Sequence, residues 1–238
     1  CIVDTAGKTV NFKAAGGQRL PAGTTAIVKT FTANGTFTVP QTGKYRVTVF
    51  GKGGNGSDSY ATSSDMIYNG TGGGAGGIAV SKLTLTKDDT YPVTVTGSTS
   101  SFGSLLSAAA GKDASGSGAG TGGTASGGNL LAESGENGTA GPQADPWNGG
   151  TGGGYSGNAV SISPFASDTG GEGGSSSRVS HTDSGKSGQT QKLTGYGLPA
   201  FGTGGGGGGD YRTYSSGYRS QFGAEGMPGA VIVEVVLE

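Results

Sequence analysis

The sequence predicts a mostly β chain with irregular segments. It calls for an antiparallel sheet or sandwich joined to a slab of packed, extended glycine strands, with almost no α-helix. Three observations predict this. Glycine supplies 54 of the 238 residues, over three times the ~7% of ordinary proteins. β-branched and aromatic residues alternate near both ends of the chain. Between them glycine clusters recur with no helical periodicity.

Residues 1–24 are mixed and weakly apolar and read as a connector to an upstream shaft, leaving 25–238 as one glycine-rich domain. Ala26 to Phe31 is β-branched and faces Thr36 to Val39 across Asn34-Gly35. Asn-Gly between such runs predicts a hairpin, because both residues tolerate φ > 0. Pro40 to Gly43 makes a further turn. Lys44 to Phe50 alternates, with Tyr45, Val47 and Val49 on one face. Strands are expected over 78–86, 90–95 and 101–105, and a last one over 230–237 that pairs with the early strands and closes a sheet.

Between Leu105 and Ala230 little reads as helix or strand. Glycine clusters fill that stretch at 116–123, 149–154, 170–174 and 202–209, with an earlier one at 70–77. A structureless loop of this length inside a closed sheet is improbable. Ordered glycine is the alternative. An extended strand with three residues per turn has no internal hydrogen bonds, so its N–H and C=O groups must bond sideways. Without Cβ atoms such strands can approach on several sides at once. Each ordered glycine costs up to ~1 kcal/mol more than alanine, so single tracts would melt and only a bonded slab would hold. The irregular spacing and scarce proline exclude a collagen helix.

Composition excludes several function classes. Fifteen basic residues against sixteen acidic ones give no field for nucleic acid or an acidic membrane surface. No apolar run approaches the ~18 residues that cross a bilayer. Cys1 is alone, so neither an internal disulfide nor a thiolate metal cluster can form. A first residue of cysteine reads as a trimmed or processed product, with lipoprotein maturation as the alternative.

Several of these segments together resemble a known family. Phe31 to Phe37 with Val39-Pro40, and Arg46 to Gly54, look like the opening of the glycine-rich domain of phage tail and tail-fibre proteins. Gly72 to Gly77 leading into a strand, then Tyr91 to Val95 and Ser101 to Gly103, continue it. Gly226 to Glu234 is similar to its closing strand. The likeness covers about Thr25 to Leu237 and rests on the order of the motifs rather than on any one. It implies a β-sheet half joined to packed polyglycine-II helices, with variable loops at the ends that read a host receptor. Lys52 departs from the family by interrupting the first glycine run, which leaves open where that glycine strand begins.

Catalytic motifs are absent or out of context. Gly72-x-Gly74-x-x-Gly77 meets the dinucleotide spacing but precedes a strand instead of a helix. No Gly-x-Ser-x-Gly elbow exists. His181 is the single histidine, and with Asp183 alone it falls short of a triad or a zinc site. Asp58, Asp65, Asp88 and Asp89 do not follow EF-hand spacing. No enzyme, metal or cofactor is expected.

The informative segments lie between glycine clusters. Tyr211, Arg212, Tyr214, Tyr218 and Arg219 fall within thirteen residues ending at Phe222. Tyrosine, serine, glycine and arginine are what recognition loops use: rigid aromatic area with adaptable polar contacts. Tyr60 and Tyr68, Trp147, and Tyr155 (in a loop with Phe165) extend the expected receptor-binding set. A competing reading has these aromatics capping the slab. The expectation is a fibre-tip adhesin, extracellular and trimeric on its shaft, that binds a bacterial surface protein or glycan. The alternatives are an inert fibre cap and a polysaccharide depolymerase.

Overall fold

A computed structural model describes residues 25–61, 67–141, 149–174, 198–208 and 222–237. The expected connector, 1–24, lies outside them. The described chain is mostly β, with two antiparallel five-stranded sheets and a single short helix.

The first sheet holds β1 (Thr25–Phe31), β3 (Gly43–Phe50), β6 (Ile78–Leu85), β11 (Leu131–Glu133) and β12 (Ala230–Val236), in the order β1-β12-β3-β6-β11. The last strand does pair with early ones: it lies between β1 and β3, with Val231 opposite both Phe31 and Val49. The second sheet holds β2 (Gly35–Thr38), β7 (Thr90–Thr94), β8 (Thr99–Phe102), β9 (Leu106–Ala109) and β10 (Ala125–Ser126), in the order β10-β9-β8-β7-β2. A separate two-stranded ribbon joins β4 (Tyr60–Ala61) to β5 (Ile67–Tyr68).

Alternation decides the core between the sheets. Tyr45, Val47 and Val49 point inward as the sequence predicts, beside Val231, Val233 and Val235. They meet Phe37, Val93, Phe102 and Leu106 from the second sheet. Phe37 sits edge-on to Tyr45 at 6.1 Å, and Tyr91 stacks on Phe102 at 4.9 Å. Each large side chain buried this way contributes about 1.5–3 kcal/mol.

The expected hairpin at Asn34-Gly35 does not form. β1 pairs with β12, whereas β2 pairs with β7 in the other sheet. Asn34 makes the corner instead. Its side-chain oxygen accepts from the N–H groups of Val95 and Thr96 at 2.8 and 3.1 Å, which pulls the chain across the sandwich. The expected strand at 101–105 splits into β8 and β9 around Gly103, whose φ is +54°.

The stretch expected to be bare of regular structure holds β9, β10, β11 and the helix α1 (Gly157–Ile162). Ser156 caps α1, its hydroxyl accepting from the Ala159 N–H at 3.2 Å and donating to Glu133 at 2.6 Å. Around this helix a second core covers the outer face of the first sheet. Phe50, Ile78, Val80 and Ile232 pack there against Tyr155, Ala159, Phe165 and Phe201. The first sheet is thus buried on both faces beside the glycine segments, which is why β12 reads as a continuous apolar run.

Those glycine segments form one hydrogen-bonded array at the end of the sandwich. Its centre is the strand 70–77, enclosed by six neighbours. The N–H groups of Gly70, Gly73 and Gly76 donate to Gly208, Gly205 and Gly202. Those of Gly72 and Ala75 donate to Thr139 and Glu136, and those of Gly74 and Gly77 to Lys112 and Ala109. In return its carbonyls accept from 51–57, 120–123 and 150–153. Each direction repeats every third residue, and donating sides alternate with accepting ones. Residues 69–80 are buried throughout.

Glycine is needed here for approach rather than for handedness. A Cβ on Gly73 would come within 3.0 Å of the Gly54 backbone, whereas positive φ among array strands occurs only at Gly202. On the outer strands the same three-residue repeat sends one residue in three to solvent: Thr121 and Thr124, Thr169 and Glu172, Glu225 and Pro228. Lys52 is another of these exposed positions, so it lies within its strand, where its carbonyl accepts from Gly111 at 2.8 Å.

Candidate recognition pole

The array has two ends. At one, Gly51, Gly77, Ala109 and Gly229 run directly into or out of the sheets. At the other, the strand 51–57 ends at Ser57, 70–77 begins at Gly70, 149–154 begins at Gly149, 202–208 ends at Gly208 and 223–229 begins at Gly223.

These ends are bonded to each other. Ser57 accepts from Gly208 at 3.1 Å, Gly208 accepts from Gly70 at 2.9 Å, and Gly70 accepts from Gly150 at 2.9 Å. The carboxylate of Asp58 accepts from the Gly223 N–H at 2.8 Å. Ser57 and Thr71 share hydroxyl contacts at 3.2 Å, and the Thr71 hydroxyl donates to Gly118 at 2.9 Å, which fixes the turn around Ser115. A dense set of short bonds on side-chain-poor strands makes this pole a rigid platform.

Each sequence-predicted loop can be placed by its roots. The ribbon β4–β5 rises between Ser57 and Gly70, with Tyr60 opposite Tyr68 in register. Trp147 lies outside the described residues, in the excursion between Gly141 and Gly149. Tyr211, Arg212, Tyr214, Tyr218 and Arg219 also lie outside them, between Gly208 and Phe222. All three excursions therefore leave and rejoin the array at this same pole. Phe222 is described: its side chain is 68% exposed, the most of any large apolar residue among those described. Sequence reasoning passed over it in favour of the tyrosines, although it closes the same aromatic segment.

Tyr155 is a correction. It was expected on a recognition loop, but it is 1% exposed and its ring sits edge-on to Phe50 at 5.8 Å. The strand 149–154 runs away from the pole and delivers Tyr155 at the sandwich end, into the second core. Phe165, read in the same loop, is buried beside it. Burial pushes the Tyr155 phenol far above its ordinary range.

Ser57, Asp58 and Thr71 tie this pole together; of these the sequence drew attention to Asp58 only as a calcium ligand that its spacing does not support, and gave Thr71 no role. Their signal was positional, since each stands next to the edge of a glycine cluster. Among the described residues no group of three His, Cys, Asp or Glu side chains gathers to hold a metal. No described helix is long and apolar enough to cross a membrane. The pole offers aromatic surface and backbone-anchored polar groups on a stiff base. The chain matches no protein-family model, and no curated protein matches it.

Proposed function

We propose that this protein is the receptor-binding tip of an extracellular fibre, and that its glycine array is a polyglycine-II lattice serving as a rigid mount for recognition loops. The carrying observation is the placement of the two ends of the molecule. β1 enters the sheet at Thr25, opposite Val236, at the end of the sandwich remote from the array. The three aromatic excursions root at the opposite pole of the array. A seven-residue strand followed by an array strand spans about 45 Å at ~3.1–3.3 Å per residue. A shaft attached through residues 1–24 would hold the sandwich, and the loops would face outward.

The period-three alternation of donors and acceptors around 70–77 supports the lattice reading. Tyr211, Tyr214, Tyr218 and Trp147 would supply flat faces for sugar rings or a protein surface, with Arg212 and Arg219 for carboxylate or phosphate. Tyr60 and Tyr68 would flank them. The partner class is a bacterial surface protein or glycan. Trimerisation on the shaft would raise effective concentration and let weak single sites suffice.

The test is cell binding by the wild type and by the Tyr211→Ala/Tyr214→Ala/Tyr218→Ala variant, with circular dichroism as the folding control. Loss of binding with an unchanged spectrum supports recognition. Retained binding returns these tyrosines to a capping role, and binding by neither protein to any candidate host favours an inert cap.

A further inference from the structure

The strand that follows residues 1–24 lies against the strand that follows the tyrosine-rich segment. The chain enters β1 at Thr25, and from Phe222 it runs through 223–229 into β12 at Ala230. β1 and β12 are antiparallel and share six register pairs, from Thr25 opposite Val236 to Phe31 opposite Val231. Each strand is therefore joined to its own outlying segment at its first residue. Those first residues stand at opposite ends of the ladder. Tension between the two segments pulls β1 and β12 past each other along their length.

We propose that the β1–β12 ladder is a shear clamp, built to carry tension between residues 1–24 and the recognition pole. Hydrogen bonds of an antiparallel pair lie across the strands. A pull along the strands loads all of them together, whereas a pull that opens the pair from one end loads them in turn. Side chains fix the register. Ala26, Val28 and Phe31 pack in the core between the sheets, and a slip of one residue would turn them outward. The register shift between Ile27 and Lys29 adds a second lock, because a bulged strand fits its partner in one alignment only.

The point where tension enters is braced from a third strand. Arg46 of β3 grips the Glu234 carboxylate of β12 and also donates to the Thr25 hydroxyl of β1 at 3.3 Å. Beyond the ladder the load spreads. β12 shares six further register pairs with β3, and the strand 51–57 that continues β3 accompanies 223–229 to the pole. Gly53 and Gly56 donate to Met227 and Ala224 along the way, and Asp58 accepts from Gly223 at the end. Use of the clamp in attachment rests on reading the pole as a recognition site, but the load path follows from strand pairing alone. A chain that binds no cell could still resist shear, and a chain that binds cells could still lack the clamp.

Single-molecule pulling on the full chain tests the clamp, because forced rupture reports the unfolding barrier along the pulled direction. One tether is fixed at the N-terminus. The other is fixed either at Ser216→Cys, among the tyrosines, or at the C-terminus. The first geometry shears the ladder, whereas the second opens it from the Thr25–Val236 end. The first rupture should need severalfold more force in shear than in opening. A disulfide between the register partners Ala26 and Val235, made as Ala26→Cys/Val235→Cys, gives a second readout. Oxidation should abolish the shear rupture, and reduction should restore it. Equal forces in the two directions, or a shear rupture that the disulfide leaves unchanged, would overturn the proposal.

Discussion

Arg46 holds Glu234 with two arms of its guanidinium, Nε at 2.6 Å from Oε2 and Nη2 at 2.7 Å from Oε1. The two are register partners across β3 and β12, so the pair links an early strand to the last one. Glu234 is 3% exposed and Arg46 19%. Removing one partner leaves a buried charge. Arg46→Met should therefore cost about 3 kcal/mol, at the low end for buried pairs because Arg46 reaches water. Urea unfolding measures this, and Arg46→Met/Glu234→Leu should recover most of the loss.

The centre of the array should be intolerant of a single methyl group. In Gly73→Ala the new Cβ would meet backbone atoms of Gly54 and Asn55 closer than 3.0 Å, and backbone cannot step aside as a side chain can. The expected cost is at least ~3 kcal/mol, seen as a lowered denaturation midpoint or loss of folded protein. Gly157→Ala is the matched control. It has open space around it in α1 and should be neutral or gain up to ~1 kcal/mol.

The Tyr155 hydroxyl is buried without a hydrogen-bond partner. Tyr155→Phe should therefore be neutral or stabilising by ~1 kcal/mol, whereas Tyr155→Ala should cost about 3–5 kcal/mol through the cavity it opens. The same phenol makes stability pH-dependent. Its folded pKa lies above the unfolded one, so the native state keeps the proton while the unfolded chain loses it. The contribution is complete below about pH 10 and falls as pH rises beyond it. Tyr45 adds to this slope, because desolvation by burial raises its pKa as well. Alkaline unfolding should be shallower in Tyr155→Phe than in wild type.

At the array's rim, side chains replace missing strands. The Asn137 oxygen accepts from the Gly122 N–H at 2.8 Å, and that of Asn55 from Gly226 at 3.0 Å. Asn137→Ala should speed hydrogen exchange at Gly122 and cost about 0.5–1 kcal/mol. Asn137→Asp keeps an acceptor and should retain most of the protection.

The strands were legible wherever one face is buried. Lys44 to Phe50, Ile78 to Leu85 and Ala230 to Val236 all declare themselves by alternation or by continuous apolar residues. The Asn34-Gly35 corner did not, because its partners at Val95 and Thr96 are some sixty residues away and local turn chemistry outweighs them on paper. β10, β11 and α1 are too short to show a period. Tyr155 was misread because an aromatic after a glycine run looks like a loop residue. Only the direction of its strand, set by neighbours far off in sequence, sends it inward. The rule of one exposed residue in three was present in Lys52-Gly-Gly-Asn55-Gly-Ser-Asp58, but it becomes meaningful only once six neighbours close around a strand.

Because Ser57 and Gly70 are each bonded through the backbone to Gly208 at the roots of the loops they carry, these anchoring bonds need no particular side chain in a loop. Such a molecule can be re-equipped at its outer pole by insertion or recombination while its scaffold stays constant. The positions at which foreign peptides could be grafted are the same ones at which natural variants would be free to diverge.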